Sequence, residues 1–195
     1  MPTFVALLRG VNVGKAKRVR MAVLRALLSG LGYTGVSTLL NSGNVVFRST
    51  KRAPAKHAAR IAAAISDNMQ VEVPVIVKSA KELAAIVAEN PITADTHEHS
   101  RFIVAFVQDT KVLPSLLAIQ SLVAPSEQFA VGKSAAYLFC SQNLLESKAG
   151  QAILDTAGRL ATTRNWATVL KLQALVVKTD ASAAQPLDCP GRDRR

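Results

Sequence analysis

The order of apolar periodicities along this chain predicts an α+β fold, and three observations carry that prediction. Through residues 1–90, segments of strand and helix character follow one another as β-α-β-β-α-β. Thr3–Leu8 is a continuous apolar run, as expected of a strand covered on both faces. Pro74 lies within the apolar run Val71–Val77 and cannot donate a ladder hydrogen bond, which puts that strand at a sheet edge. In the ferredoxin-like solution to this element order the first strand is central and the fourth is an edge strand, so the signals agree.

Each element has its own justification. After the first strand comes a Gly-bearing basic loop, Arg9–Arg20. Met21, Leu24, Leu27, Leu28 and Leu31 then repeat at helical spacing, with Gly30 and Gly32 as a stop. Val36–Leu40 and Val45–Arg48 flank Asn41-Ser42-Gly43-Asn44, a tight turn between two strands. Pro54 suits the first turn of a second helix with Ala58, Ile61, Ile65 and Met69 on its inner face. Ser79 and Glu82 form a capping box for a short helix through Leu83, Ile86 and Val87 that ends before Pro91.

Residues 91–100 have turn composition and mark the boundary between two subdomains. Beyond it, Arg101–Gln108 reads as a strand, Pro114–Val123 as a helix, and Glu127–Val131 with Ala135–Cys140 as a hairpin. Helical segments follow, the last from near Thr163 to about Val177. The second half therefore also starts β-α-β-β-α, although no residue-level repeat links the halves. The expected organisation is a ferredoxin-like subdomain over 1–90, a second α+β subdomain over 91–178, and a disordered tail over 179–195 rich in Pro and Arg.

Charge is distributed one-sidedly. Eleven lysines and arginines precede the first acidic residue, Asp67, and thirteen basic residues face thirteen acidic ones after it, so the whole formal charge of +11 belongs to the first third. Such a region raises local anion concentration and favours contact with phosphate. No apolar stretch approaches the roughly 20 residues of a membrane span, and the N-terminus lacks a signal-peptide layout, so a cytoplasmic protein without membrane contact is expected. The two cysteines, Cys140 and Cys189, are expected to remain thiols there.

Topology brings together residues that are far apart in sequence. If the first and third strands are antiparallel neighbours, Arg9, Gly10 and Asn12 sit near Asn41, Ser42 and Asn44, at the sheet end that also carries the cationic loop Lys15, Lys17, Arg18 and Arg20. The first helix starts there with unpaired N–H groups, which favour an anion. Ordinary turn chemistry and solvated loop cations account for the same residues without a ligand. The spacing matches neither a P-loop nor a Rossmann fingerprint. A second cluster is Thr162-Thr163-Arg164-Asn165-Trp166, where Thr163 is expected to cap the last helix and Arg164 to fall in its first turn.

Other constellations are weak. His97-Glu98-His99 puts two imidazoles on one side of an extended segment, but two ligands without a third do not make a zinc site, and no metal or cofactor is assigned. His57 lies on a basic helix and is expected to be solvated. No nucleophile or general base is identifiable, so no reaction class is assigned and enzyme activity stays an open question.

Three segments, in this order, resemble the bacterial domain-of-unknown-function 1697 family: LRGVNVG at Leu8–Gly14 followed by a Met-led helix, LNSGNVVF at Leu40–Phe47, and ATTRNWATVLKL at Ala161–Leu172. The resemblance implies an α+β protein of two subdomains, the first ferredoxin-like, and no established activity. Its matched polar positions are Arg9, Gly10, Asn12, Gly14, Ser42, Gly43, Asn44, Thr163, Arg164, Asn165 and Trp166.

Two functional readings stand side by side. One is a module that binds phosphate-bearing partners, most simply a nucleic-acid backbone, through the basic first third. The other is a small-molecule site, open to catalysis, in which Arg9, Asn12 and Asn44 are completed by Arg164 and Asn165 from the second subdomain. A third reading, assembly with itself or another chain, leaves the oligomeric state open.

Overall fold

The computed structural model describes residues 1–13, 18–156 and 160–182. Two four-stranded antiparallel sheets organise the chain. The first contains β1 (Thr3–Leu8), β2 (Thr34–Leu39), β3 (Asn44–Arg48) and β4 (Val75–Ser79), in the order β2-β3-β1-β4. The apolar run Thr3–Leu8 is thus a central strand, buried at every residue, and β4 is an edge. Pro74 lies immediately before β4 rather than inside it. Its carbonyl accepts a hydrogen bond from the Arg9 amide at 2.9 Å, so the proline marks the entry to the edge strand.

Helices α1 (Met21–Gly30) and α2 (Pro54–Met69) cover one face of this sheet. Alternation along the strands decides what each face buries: Phe4, Ala6, Leu8, Val45 and Phe47 join Leu24, Leu28, Ile61 and Ile65 in one core. His57 belongs to that core and is only 2% exposed, which corrects the solvated position expected from the basic helix around it. Its Nε2 donates to the Lys51 carbonyl at 3.0 Å, which leaves Nδ1 to accept from the Tyr33 hydroxyl at 2.9 Å. Arg60 lies over the Tyr33 ring, so the cationic surface of α2 roofs an imidazole with both ring nitrogens hydrogen-bonded.

The second sheet has the order β6-β7-β5-β8, built from β5 (Phe102–Val107), β6 (Gln128–Val131), β7 (Ala135–Phe139) and β8 (Ala161–Asn165). A 3₁₀ segment (Thr110–Leu122) and α4 (Lys148–Thr156) cover its outer face. With strand numbers raised by four, this is the order of the first sheet, so the same antiparallel unit occurs twice. The eighth strand corrects the sequence reading: Thr163 and Arg164 are strand residues, and the last helix, α5, starts at Trp166 and continues to Ser182. It therefore runs past the expected start of the tail at Thr179; residues 183–195 lie outside the described residues.

The inner faces of both sheets share one core with α3 (Ala80–Ala88) and α5. Val5, Leu7 and Ile76 from the first sheet, Val104, Phe106 and Tyr137 from the second, and Leu83, Val169 and Leu172 from the helices belong to this cluster. Both helices are capped by the residue that ends the preceding strand. Ser79 forms the predicted capping box with Glu82, and the Asn165 Oδ1 accepts from the Thr168 amide at 3.0 Å.

Register makes the two units comparable residue by residue. Val5 pairs with Lys78 as Val104 pairs with Arg164, and Phe4 pairs with Ser79 as Ile103 pairs with Asn165. On this scale Arg9 corresponds to Gln108, each one residue beyond a central strand. Gln108 Oε1 accepts from the Val77 amide at 2.8 Å on the edge strand β4. Arg9 donates to the Ala161 carbonyl at 3.1 Å on the edge strand β8. Each unit thus covers the open edge of the other with one polar side chain, and an uncovered edge would be a pairing hazard.

Candidate functional site

Arg164 is the next-to-last residue of β8, and its pairing with Val104 turns it toward the shared inner face, where β1 of the other unit ends. Its guanidinium has five N–H groups and each finds an acceptor. Nε donates to the Asn44 Oδ1. Nη1 donates to Thr162 Oγ1 at 3.0 Å and to the Thr163 carbonyl at 2.7 Å. Nη2 donates to the carbonyls of Leu8 at 2.7 Å and Ser42 at 3.1 Å. All these acceptors are uncharged, and burial pulls the guanidinium from its ordinary 12.5 down to about 10, so it remains a cation at neutral pH.

The turn that receives Arg164 is shaped for it. Asn44 is the first residue of β3, opposite Leu7, and is fully buried. Its Nδ2 donates to the Leu39 carbonyl at 3.1 Å and to Ser42 Oγ at 2.9 Å, leaving Oδ1 for Arg164. The loop itself is Leu40–Gly43, one residue earlier than the sequence predicts, with positive φ at Leu40 (58°) and Gly43 (75°). At Gly43 a Cβ would stand 2.6 Å from both Leu8 Cβ and Val11 Cγ2, so only glycine allows the turn to press against β1.

The remaining motif residues brace the neighbouring loop. Asn12, at φ 57°, donates from Nδ2 to the Val19 carbonyl at 2.9 Å and to the Asn41 carbonyl at 2.6 Å, and its Oδ1 accepts from the Val19 amide at 2.9 Å. Both ends of the basic loop are therefore pinned to the β2–β3 turn. Arg9 reaches the opposite way and donates to the carbonyls of Leu154 at 2.8 Å and Ala161 at 3.1 Å in the second unit. Partial burial lowers its pKa.

Between these segments lies a cleft of about 670 Å³. Arg9, Arg164, Ser42, Thr162 and Asn165 give it polarity, and Leu40, Val13, Leu144, Leu154 and Ile103 give it apolar walls. Among the described residues, no Asp or Glu lines it. Both cations of the composite site predicted from sequence therefore line one cavity.

Other predicted site residues fare differently. Lys15 and Lys17 lie outside the described residues, and Arg18 is exposed. Asn165 lines the cleft but spends its carbonyl oxygen on the α5 cap. Trp166 is 9% exposed, with its ring stacked on Phe102 at 4.9 Å, which makes it a core anchor. His97 gathers with Asp95 and Glu98, ligand atoms within 4.8 Å of one another, rather than with His99. Glu98 is already paired with Arg101 at 2.7 Å, and that cation disfavours a second one at the same carboxylate. Sequence reasoning missed Leu40 and Val13, exposed apolar residues in loops that carry no local signal, and the half-buried Leu144 and Leu154, which read as ordinary core positions. It also missed Gln108, which only the equivalence of the two units singles out.

These features define a class: an α+β protein made of one antiparallel unit used twice, with a cationic cleft where the units meet. A family model described as a protein of unknown function, DUF1697, matches residues 1–137, and the chain belongs to that family. The Ala161–Leu172 segment lies beyond the matched residues. Among solved structures the chain is similar to the conserved bacterial protein SP0830 from Streptococcus pneumoniae, at 23% identity over 90% of this chain and 98% of that chain, with a TM-score of 0.66. At that identity the likeness is one of fold. No curated protein matches the chain.

Proposed function

We propose that this protein binds a small anionic ligand in the cleft between its two units. The observation that carries the reading is the meeting of two guanidiniums, from β8 and from the end of β1, in one cavity. Arg164 contributes fixed positive charge rather than a hydrogen-bonding fork, because its donors are engaged with neutral oxygens. Positive charge at low dielectric attracts an anion more strongly than the same charge in water. The cleft wall near Arg9, Ser42 and Thr162 is where an anionic group is best accommodated. A cytoplasmic setting goes with this reading.

Calorimetric titration of the protein at low ionic strength with acetate, inorganic phosphate and adenosine monophosphate tests it. At least one anion should bind saturably, and Arg9→Gln should weaken that binding about tenfold, roughly the loss of one charge-assisted interaction. Absence of binding by all three, and by longer carboxylates as well, would falsify the cleft reading.

A second reading keeps nucleic acid as the partner. It is favoured by the exposed cations on and beside α1 and α2, Arg20, Arg25, Lys51, Arg52, Lys56 and Arg60, which lie over the outer face of the first sheet. It predicts oligonucleotide affinity that falls with salt at a log–log slope of about 0.9 per phosphate neutralised, and that is insensitive to Arg9→Gln.

A further inference from the structure

Leu40 is placed unfavourably on two counts. Its φ of 58° lies in the left-handed region, which bulky side chains avoid and Asn or Gly adopt readily. Its side chain is also 54% exposed, so no core burial offsets the strain. An outlier of this kind points to a role outside folding. Leu40 lines the cleft, and Val13, 71% exposed, lines it too, together with Leu144 and Leu154. The apolar mouth therefore stands beside the guanidiniums of Arg9 and Arg164 in a single cavity. Its volume of about 670 Å³ is well beyond what a free inorganic anion fills and falls in the range, roughly 300–1,000 Å³, of sites for drug-sized ligands.

We propose that the cleft takes an amphipathic monoanion: one carboxylate or phosphate group held by the charge of Arg9 and Arg164, with an apolar body packed on Leu40, Val13 and Leu144. This rests on the cleft reading and adds the chemical class of the ligand. A single anionic group fits because the Arg164 donors already serve the Leu8, Ser42, Thr163, Thr162 and Asn44 oxygens, which leaves charge, not a second hydrogen-bonding fork, to hold the head. Leu40 and Val13 set specificity through the body of the ligand.

A homologous series of straight-chain carboxylates, acetate to octanoate, with octanol as the uncharged control, tests the proposal by calorimetric titration of the full chain. Affinity should rise about three- to fourfold per methylene that enters the cleft, and octanol should bind more weakly than octanoate. Leu40→Asn, which suits the left-handed backbone, should keep or raise the melting temperature. It should flatten the octanoate end of the series about tenfold while acetate is unaffected. Val13→Ser provides a second variant with the same expected pattern. A flat series with acetate and phosphate still bound overturns this proposal and leaves the anion reading standing. Silence from every anion overturns both. Octanol binding as tightly as octanoate removes the need for charge and also overturns both. Self-association in light scattering that disappears in Leu40→Asn would mean that a second copy of the chain covers the apolar mouth, and would overturn the amphiphile.

Discussion

At the scale of single residues, the arginine that looks most like a ligand holder is first a clamp. Removing its side chain in Arg164→Ala leaves the buried Asn44 Oδ1 and the Leu8 carbonyl without a donor. The expected cost is about 3 kcal/mol of stability, measured by urea denaturation, because unsatisfied buried polar groups retain their full desolvation penalty. Arg164→Lys should recover less than half of it, since an ammonium cannot supply five N–H groups in a planar fork. Retained stability in both variants would remove the clamp. Cys140 gives a pH-dependent test. It is fully buried, and burial pushes its thiol up from 9.0 to about 11. In the unfolded chain the thiol ionises first, so the stability present below pH 9 is lost as pH rises from 9 toward 11. Denaturation midpoints across that window should fall less steeply in Cys140→Ala, while the fall that the raised Tyr137 and Tyr33 contribute remains. Equal slopes in protein and variant would sink that assignment.

At the scale of elements, the sequence made much of the fold legible because periodicity and capping are local. The central position of Thr3–Leu8, the span of α2 and the Ser79–Glu82 box could all be read directly. β8 could not. Its residues Ala161-Thr162-Thr163-Arg164-Asn165 are mostly polar, and they adopt an extended form because β5 offers a partner on one side and the guanidiniums of Arg9 and Arg164 donate to the Ala161 and Thr163 carbonyls on the other. That is a tertiary decision, invisible to a window of neighbours. The same holds for the site. The nearness of the end of β1 to Asn44 followed from strand order, whereas the place of Arg164 there was a hypothesis that strand order did not supply, and the purpose of these hydrogen bonds was not legible. Asn12 and Asn44 look like ligand contacts in a sequence, and in the folded chain they hold loops. His57 misled for a related reason: lysines and arginines around it face water, but its own position on α2 faces Phe4 and Phe47.

At the scale of the whole molecule, the two units form one cooperative body. They share a core that contains residues of both sheets, and each covers the free edge of the other, through Arg9 on β8 and Gln108 on β4. A single unfolding transition is therefore expected, with fluorescence of Trp166 and far-ultraviolet dichroism giving coincident midpoints. A fragment of residues 1–90 should expose the inner face of its sheet and fail to unfold cooperatively; a sigmoidal transition in that fragment would show two independent bodies instead. The position of α5 has one more consequence. The helix that fills the middle of the molecule follows both sheets in the chain, and it packs on the first strand. During synthesis the early sheet must wait, with its inner surface bare, until α5 has been made. A message cut short before α5 then yields a product that chaperones retain and proteases clear.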